Sequence, residues 1–162
     1  MILDWAVIAQ YAAPQADGSI AILGAGTENF ASFDRESLPP ELQARLDPAL
    51  VGTEVSFHLV ARFRIPRHEL QRGHSIEADV IDSDGNSVMP RLAFNVPPMA
   101  PPPGLTGPEL GVVAHFQLRV APKKFGPYSI ALFCDTASVK TTSFQIVAQQ
   151  APQQPPPPPT ST

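Results

Sequence analysis

Apolar residues recur at every second position over most of this chain, and that spacing is the strongest constraint on its fold. Between Val55 and Phe63, apolar residues alternate with polar or charged ones. A period of two is typical of β-strands, because successive side chains of a strand point to opposite faces. The same alternation occupies 3–11, 74–82, 110–121, 127–134 and 139–147. The sequence therefore predicts a chain of successive strands. We expect Phe57, Leu59 and Phe63 to be buried, with Phe116 and Leu118 on the facing sheet.

Proline and glycine separate these stretches. Of the 162 residues, 20 are Pro and 10 are Gly. PQADG at 14–18 and SDGN at 83–86 have the residue types of tight turns. In the 37–47 loop, Pro39 and Pro40 precede ELQARL and predict one short helical turn. No predicted helix is long enough for a βαβ unit, so we expect an all-β, antiparallel immunoglobulin-like β-sandwich of seven or eight strands.

The chain is expected to hold one folded domain followed by a tail. Residues 1–148 carry the strand pattern, interrupted by the proline-rich stretch 97–108, which we interpret as an extended surface loop. Residues 149–162 have no charge and almost no core-forming side chains. Such a composition predicts a disordered, proline-rich tail.

Charge and cysteine content narrow the classes of partner and compartment. Eleven basic residues stand against 15 acidic ones, for a net charge of −4, and no basic cluster is present. Nucleic acid is therefore not expected as a partner, because phosphate binding needs a basic face. No apolar run reaches the length of about 18 residues that a membrane helix needs. The single cysteine, Cys134, and a start without a positively charged leader favour the cytoplasm.

Three stretches carry a resemblance to a known family. They are LDWAVIAQYA with GSIAILGAG (3–12 and 18–26), HSIEADVIDSDGN (74–86), and GPYSIALFCD with SFQIV (126–135 and 143–147). Together they resemble an uncharacterised bacterial family, a domain of unknown function with an immunoglobulin-like β-sandwich. The resemblance implies the fold, no established activity, and no catalytic residues to transfer.

Tyr128 is the residue in these stretches with the clearest predicted structural role. It follows Gly126-Pro127 at the start of the penultimate strand. This placement is similar to a tyrosine corner, in which the phenol hydroxyl ties the start of a strand to the preceding loop.

Two histidines are the first candidates for a metal site. His58 and His115 could lie on neighbouring strands, where imidazoles could bind a transition metal. Arg62, Arg64 and Arg119 alternate with them, and positive neighbours oppose a cation. We therefore expect no metal here and no cofactor, and we expect the arginines to pair across strands with Glu77 and Asp79.

The SDGN turn is a second, calcium-like candidate. Asp82, Asp84 and Asn86 resemble part of a calcium loop, but the EF-hand spacing would place Val80 and Arg91 where carboxylates are needed. The favoured interpretation is a β-turn, with calcium as the exception that a titration should test.

Apolar surfaces are the remaining candidates. In the first strand, Trp5 and Tyr11 share one side, while Ile2, Ala6 and Ile8 share the other, which is more apolar surface than one sandwich face needs. The interface candidates are Trp5, Ile8 and Tyr11, together with Pro155, Pro156 and Pro157 of the tail, which could dock as a polyproline ligand.

Function is predicted only in outline. The favoured hypothesis is a non-enzymatic binding or assembly module with a protein partner or a second copy, and without nucleic acid or membrane. One alternative is a small-ligand or metal-dependent enzyme with its site in loops at one end of the sandwich. Another is a phage or capsid-like structural subunit.

Overall fold

Two β-sheets pack face to face in the computed structural model, which describes residues 1–17, 19–104 and 106–152. The strands in chain order are β1 (Ile2–Ala9), β2 (Tyr11–Pro14), β3 (Ile20–Leu23), β4 (Asn29–Phe33), β5 (Val55–Pro66), β6 (His74–Asp82), β7 (Leu92–Val96), β8 (Glu109–Val120), β9 (Gly126–Cys134) and β10 (Ala137–Gln149). One sheet has the order β1-β5-β8, and the other has the order β4-β10-β9-β6-β7.

The all-β sandwich prediction is confirmed. Within the described residues, the two layers contain eight strands, and β2 and β3 form an additional hairpin. All pairings within the layers are antiparallel except that of β4 with β10, which is parallel. β7 lies at an edge of its sheet, which suits the nearby Pro90, since proline cannot donate to a ladder.

The first predicted strand is in fact two strands. β1 pairs with β5, with Ile8 opposite Leu59, and the chain bends at Gln10 before β2 begins. β3 is followed by Gly24, which has a φ of +64° that glycine adopts without strain. The period-two alternation of the sequence continues through the bend at Gln10. The alternation therefore could not show that β1 and β2 belong to different sheets.

The helical content matches the predicted loop. A short helix, α1, spans Pro40–Gln43, with proline in its first turn, and a 3₁₀ turn precedes it at Arg35–Ser37. A second 3₁₀ turn, Arg67–Glu69, was not predicted. No helix in the described part of the chain has the length and apolar character needed to cross a membrane.

The core lies between the two sheets. Phe57, Leu59 and Phe63 of β5 are buried as predicted. Phe116 and Leu118 are buried too, but the prediction that they face β5 from the opposite sheet is wrong. They lie on β8, beside β5 in the same sheet, with Leu59 opposite Phe116. The facing layer is formed by other buried residues, among them Ile76, Tyr128, Ile130, Leu132 and Phe144.

The tyrosine corner is present. The Tyr128 hydroxyl donates a hydrogen bond of 2.6 Å to the carbonyl oxygen of Lys124, in the loop before β9. Burial raises the pKa of this hydroxyl above its ordinary value of 10.0. The phenol therefore stays protonated and keeps the loop fixed to the start of β9.

The last strand extends one residue beyond the predicted domain boundary. Gln149 still pairs with Phe33 of β4, and the amide of Ala151 donates to the hydroxyl of Ser37 at 2.9 Å. The rest of the predicted tail, 153–162, lies outside the described residues. The described part of the proline-rich stretch 97–108 contains neither helix nor strand before β8 begins at Glu109.

Replacing Phe57 with alanine should destabilise the fold severely. The ring is fully buried and its centroid lies 4.6 Å from that of Phe30 and 4.9 Å from that of Phe144. Loss of such a ring costs about 3–5 kcal/mol, against a total stability of roughly 5–15 kcal/mol. Chemical denaturation should show this loss, while Phe33→Ala, at a 36% exposed position, should cost much less. A loss for Phe57→Ala no larger than that of Phe33→Ala would contradict the assignment of the core.

Candidate binding surface

The β2–β3 hairpin lies over the side of the three-stranded sheet that faces away from the core, which we call the outer face. The Tyr11 ring meets the His58 ring edge-on at a centroid distance of 5.8 Å. Val60 and Ala9 point to this side and are nevertheless fully buried. Ala12 of the hairpin is almost fully buried as well. Both surfaces of the three-stranded sheet are thus partly covered.

An open groove of about 390 Å³ separates the hairpin from the sheet. It is lined by Trp5, Ser19, Ile20, Ile22, Arg62, Gly111 and Val113. A Cβ on Gly111 would lie 3.4 Å from the Arg62 guanidinium, so the absence of a side chain at Gly111 provides space for the Arg62 side chain. The groove therefore has apolar walls and one cationic group.

Exposed apolar side chains concentrate around this groove. Those on the outer face or on its hairpin are Ile2, Trp5, Tyr11, Leu23 and Val113. Tyr11 is opposite Leu23 in the hairpin, so the two share one of its faces. A patch of this kind, bordered by charged residues, is typical of a protein-binding surface.

The predicted interface residues separate into three groups. Trp5 and Tyr11 are 39% and 51% exposed on this surface. The prediction for Ile8 is wrong: it is 2% exposed, because its side chain points into the core opposite Leu59. Pro155, Pro156 and Pro157 lie outside the described residues.

A bulge in β1 changes which residues accompany Trp5. The pairing with β5 shifts between Leu3 and Trp5, so that Ile2 is opposite Arg64 and Trp5 is opposite Arg62. Ile2 therefore shares the outer face with Trp5, contrary to the simple alternation, which had placed it with Ile8.

His58 and His115 come together as a pair. Their rings are stacked at 5.1 Å, and Nδ1 of His58 lies 2.8 Å from Nε2 of His115. Burial, and then the proximity of His115, lower the pKa of His58. Among the described residues, no group of three or more His, Cys, Asp or Glu is arranged to hold a metal ion. His58 is thus uncharged at neutral pH and shares a hydrogen bond with His115.

The predicted pairing of the strand arginines with Glu77 and Asp79 is wrong. Arg64 pairs with Asp4 and, at 2.8 Å, with Glu109, and Arg62 lies 3.7 Å from Asp4. β6, which carries the two predicted partners, belongs to the other sheet.

Glu77 and Asp79 instead pair with Arg91, which the sequence analysis did not predict as their partner. Arg91 reaches both carboxylates at 3.2 Å and also lies 4.5 Å over the ring of Phe133. Hydrogen bonds to Glu77, and then to Asp79, raise the pKa of Arg91.

The calcium-like turn already contains a cation. Nζ of Lys124 contacts the Asp84 carboxylate and lies 3.6 Å from that of Asp82. Oδ1 of Asp82 accepts from the backbone amides of Asp84 at 2.8 Å and Asn86 at 3.0 Å. The Asn86 amide first, and then the Asp84 amide and Lys124, lower the pKa of Asp82. The turn is therefore closed by its own contacts, as the β-turn interpretation expected.

Sequence reasoning missed a polar cluster around the buried His74, at the start of β6. Nδ1 of His74 lies 2.8 Å from the Asp135 carboxylate, and Nε2 lies 3.8 Å from that of Glu69. Burial favours a higher pKa for Asp135, but hydrogen bonds from His74 and the Ser75 amide outweigh it, and the pKa is lowered. Sixty-one positions separate His74 from Asp135, so no local motif could reveal the contact.

The sandwich and the hairpin over its outer face make up a small all-β domain, and a family model covers most of it. The chain belongs to that family, DUF6941, described as a family of unknown function, which matches residues 4–147. No curated protein matches the sequence. The resemblance to an uncharacterised family is thereby confirmed.

The chain is also similar to part of a solved structure. It is the crystal structure of a glycosyl hydrolase family 2 member from Bacteroides cellulosilyticus DSM 14838, with 13% sequence identity and a TM-score of 0.35. The match covers 74% of this chain but only 15% of that chain. This protein thus corresponds to a small part of that enzyme's length.

Calcium should leave the thermal midpoint of this protein unchanged. Lys124 already contacts both carboxylates of the turn and offsets one of their two negative charges, and backbone amides occupy Oδ1 of Asp82. Thermal unfolding with and without calcium, supported by calorimetric titration, checks this expectation. A calcium-dependent rise that disappears in the double variant Asp82→Asn and Asp84→Asn would contradict it and favour a metal site.

Acidification should weaken the fold through His58. Because the pKa of His58 is lowered in the folded state, the unfolded chain takes up a proton near its ordinary value of 6.5, while the folded protein does so only at a lower pH. The free energy of unfolding should therefore fall between about pH 7.5 and about pH 5. Thermal midpoints across this range should fall less in His58→Gln. His68→Gln, at an 81% exposed side chain, should behave like the wild type. Parallel curves for wild type and His58→Gln would refute the assignment.

Proposed function

We propose that this protein is a non-enzymatic, cytoplasmic binding and assembly module whose outer face binds an apolar protein segment that carries carboxylates. The observation that supports it most directly is the concentration of exposed apolar side chains around the groove beside Trp5. Aromatic side chains in such positions contribute a large share of binding energy at protein interfaces.

The charge of the same surface favours an acidic segment. Arg62 is half exposed and, among the residues that the structure describes, forms an ion pair only with Asp4, at 3.7 Å. Arg119, further along the same face of β8, is exposed and has no ion pair within the described residues. The chain as a whole has a net charge of −4, so this face is basic relative to the rest of the protein. Carboxylates on the bound segment would complement it.

The compartment and the absence of catalysis are parts of the same proposal. Cys134 is a free, buried thiol whose pKa is raised by burial, which suits a reducing compartment and an unreactive cysteine. The acidic groups near the outer face, Asp4 and Glu109, are bound by Arg64. They stabilise the surface and have no catalytic part in the proposal.

Trp5 allows a direct test, because it is the single tryptophan of the chain and lines the groove. A peptide that alternates leucine and glutamate should shift the Trp5 emission to shorter wavelength, and the shift should saturate as the peptide concentration rises. A matched peptide of leucine and lysine should bind much more weakly. Arg62→Glu should reverse this preference. Trp5→Ala should weaken binding of the acidic peptide by about 2 kcal/mol, as measured by calorimetry.

Leu42→Ser provides the control, since Leu42 is exposed on α1 and is absent from the groove lining. It should bind the acidic peptide like the wild type. Equal binding of both peptides, or no saturable shift with either, would contradict the proposed partner chemistry.

A further inference from the structure

The outer edge of β8 is the longest free strand edge in the described structure. β8 has 12 residues and pairs with β5 along its whole length without a bulge. Along the other edge, no backbone hydrogen bond is made by residues 110–120 within the described part of the chain. The two edge strands of the five-stranded sheet, β4 and β7, have only five residues each.

This edge lacks the features that normally prevent strand pairing. Proline, lysine, bulges and short length are the usual protections, and β8 has none of them. The opposite edge of the same sheet is protected. There, Lys140 donates to the Ala6 carbonyl at 3.1 Å, and the amide of Gly26 donates to the Ile8 carbonyl at 2.9 Å.

We propose that two copies of this protein pair antiparallel through their β8 edges, with Ala114 opposite Ala114 on the two-fold axis. The charges of β8 select this register. Its only charged residues, Glu109 and Arg119, lie near its two ends and point to the outer face. Centring the pair on Ala114 places each Glu109 opposite the second copy's Arg119, so that two ion pairs form.

The apolar residues of β8 fit the same register. Even spacing about Ala114 keeps inward-facing residues opposite inward-facing ones, so Leu110 meets Leu118, and Val112 meets Phe116 of the second copy. On the outer face, Val113, which is 38% exposed, lies beside the second copy's His115. A shift of two residues in either direction keeps the faces but separates Glu109 from Arg119.

The pairing joins the two three-stranded sheets into one of six strands. Because the two-fold axis is perpendicular to the sheet, both outer faces lie on the same side, and the dimer carries two grooves. Dimerisation goes beyond the proposed binding of an acidic segment, since it needs no partner and leaves Trp5 outside the edge contact. Val113 of the groove lining and Arg119 take part in both, so self-association is measured without any peptide.

Sedimentation equilibrium of the full chain without any peptide tests the proposal. The wild type should be a dimer. The variants Glu109→Arg and Arg119→Glu should each self-associate at least tenfold more weakly. An equimolar mixture of the two variants should form the dimer again, because opposite charges then face each other at both ends of the paired strands. Arg45→Glu, the same charge change away from β8, should remain dimeric. A monomeric wild type, a dimeric Arg119→Glu variant, or a mixture that stays monomeric would each overturn the register or the dimer.

A second measurement does not depend on Glu109, which also binds Arg64 and whose replacement could unfold the protein. Copies with Val113→Cys should form a disulfide with copies carrying His115→Cys under mild oxidation, since these positions are opposite in the proposed register. Cross-linking of that mixture no greater than that of either variant alone would overturn the register.

Discussion

The two sheets depend on a set of aromatic contacts that cross the interior. Phe57 of the three-stranded sheet packs against Phe30 and Phe144 of the other sheet, and Tyr128 stacks on Phe144 at a centroid distance of 5.6 Å. Rings of this size bury much apolar area and have preferred relative orientations, so they constrain both the spacing and the alignment of the layers. The same Tyr128 donates its hydroxyl to Lys124, whose ammonium group contacts the turn after β6. Tyr128 therefore connects the aromatic core to the polar contacts at this end of the sandwich.

Because the interior is filled by these rings and by aliphatic residues, further apolar side chains must lie elsewhere. β1 is apolar on both faces, and only one of them can contact the core. Its inward side chains, such as Ile8, are buried against β5. Those pointing outward meet the β2–β3 hairpin, which buries Ala9 and Val60 but leaves Trp5 partly exposed. The hairpin therefore covers only part of the outer face. The part left exposed around Trp5 is the surface to which we assign binding.

The strand pattern could be predicted well because it depends on local alternation. β5, β6, β8 and β9 lie close to their predicted positions, as do the turn at Asp82–Asn86 and the tyrosine corner. Trp5 and Tyr11 could be singled out because β1 carried more apolar residues than one face can bury. The contact partners could not be predicted in the same way. Arg91, Lys124 and Asp135 reach their partners across loops and between strands whose order in the sheet is not encoded in alternation.

Taken alone, the sequence determined that the chain forms an all-β domain, where most strands lie, and which of their faces are apolar, since each of these follows from side-chain period and turn chemistry. Only the tertiary structure decided which strands are neighbours. That choice placed Phe116 beside Leu59 instead of across from it and brought Glu77 and Asp79 to Arg91. It also left one edge of β8 without a partner strand in the described part of the chain. The physical reason is that backbone hydrogen bonds join strands irrespective of side chains, so the order of strands is selected by how the whole core packs.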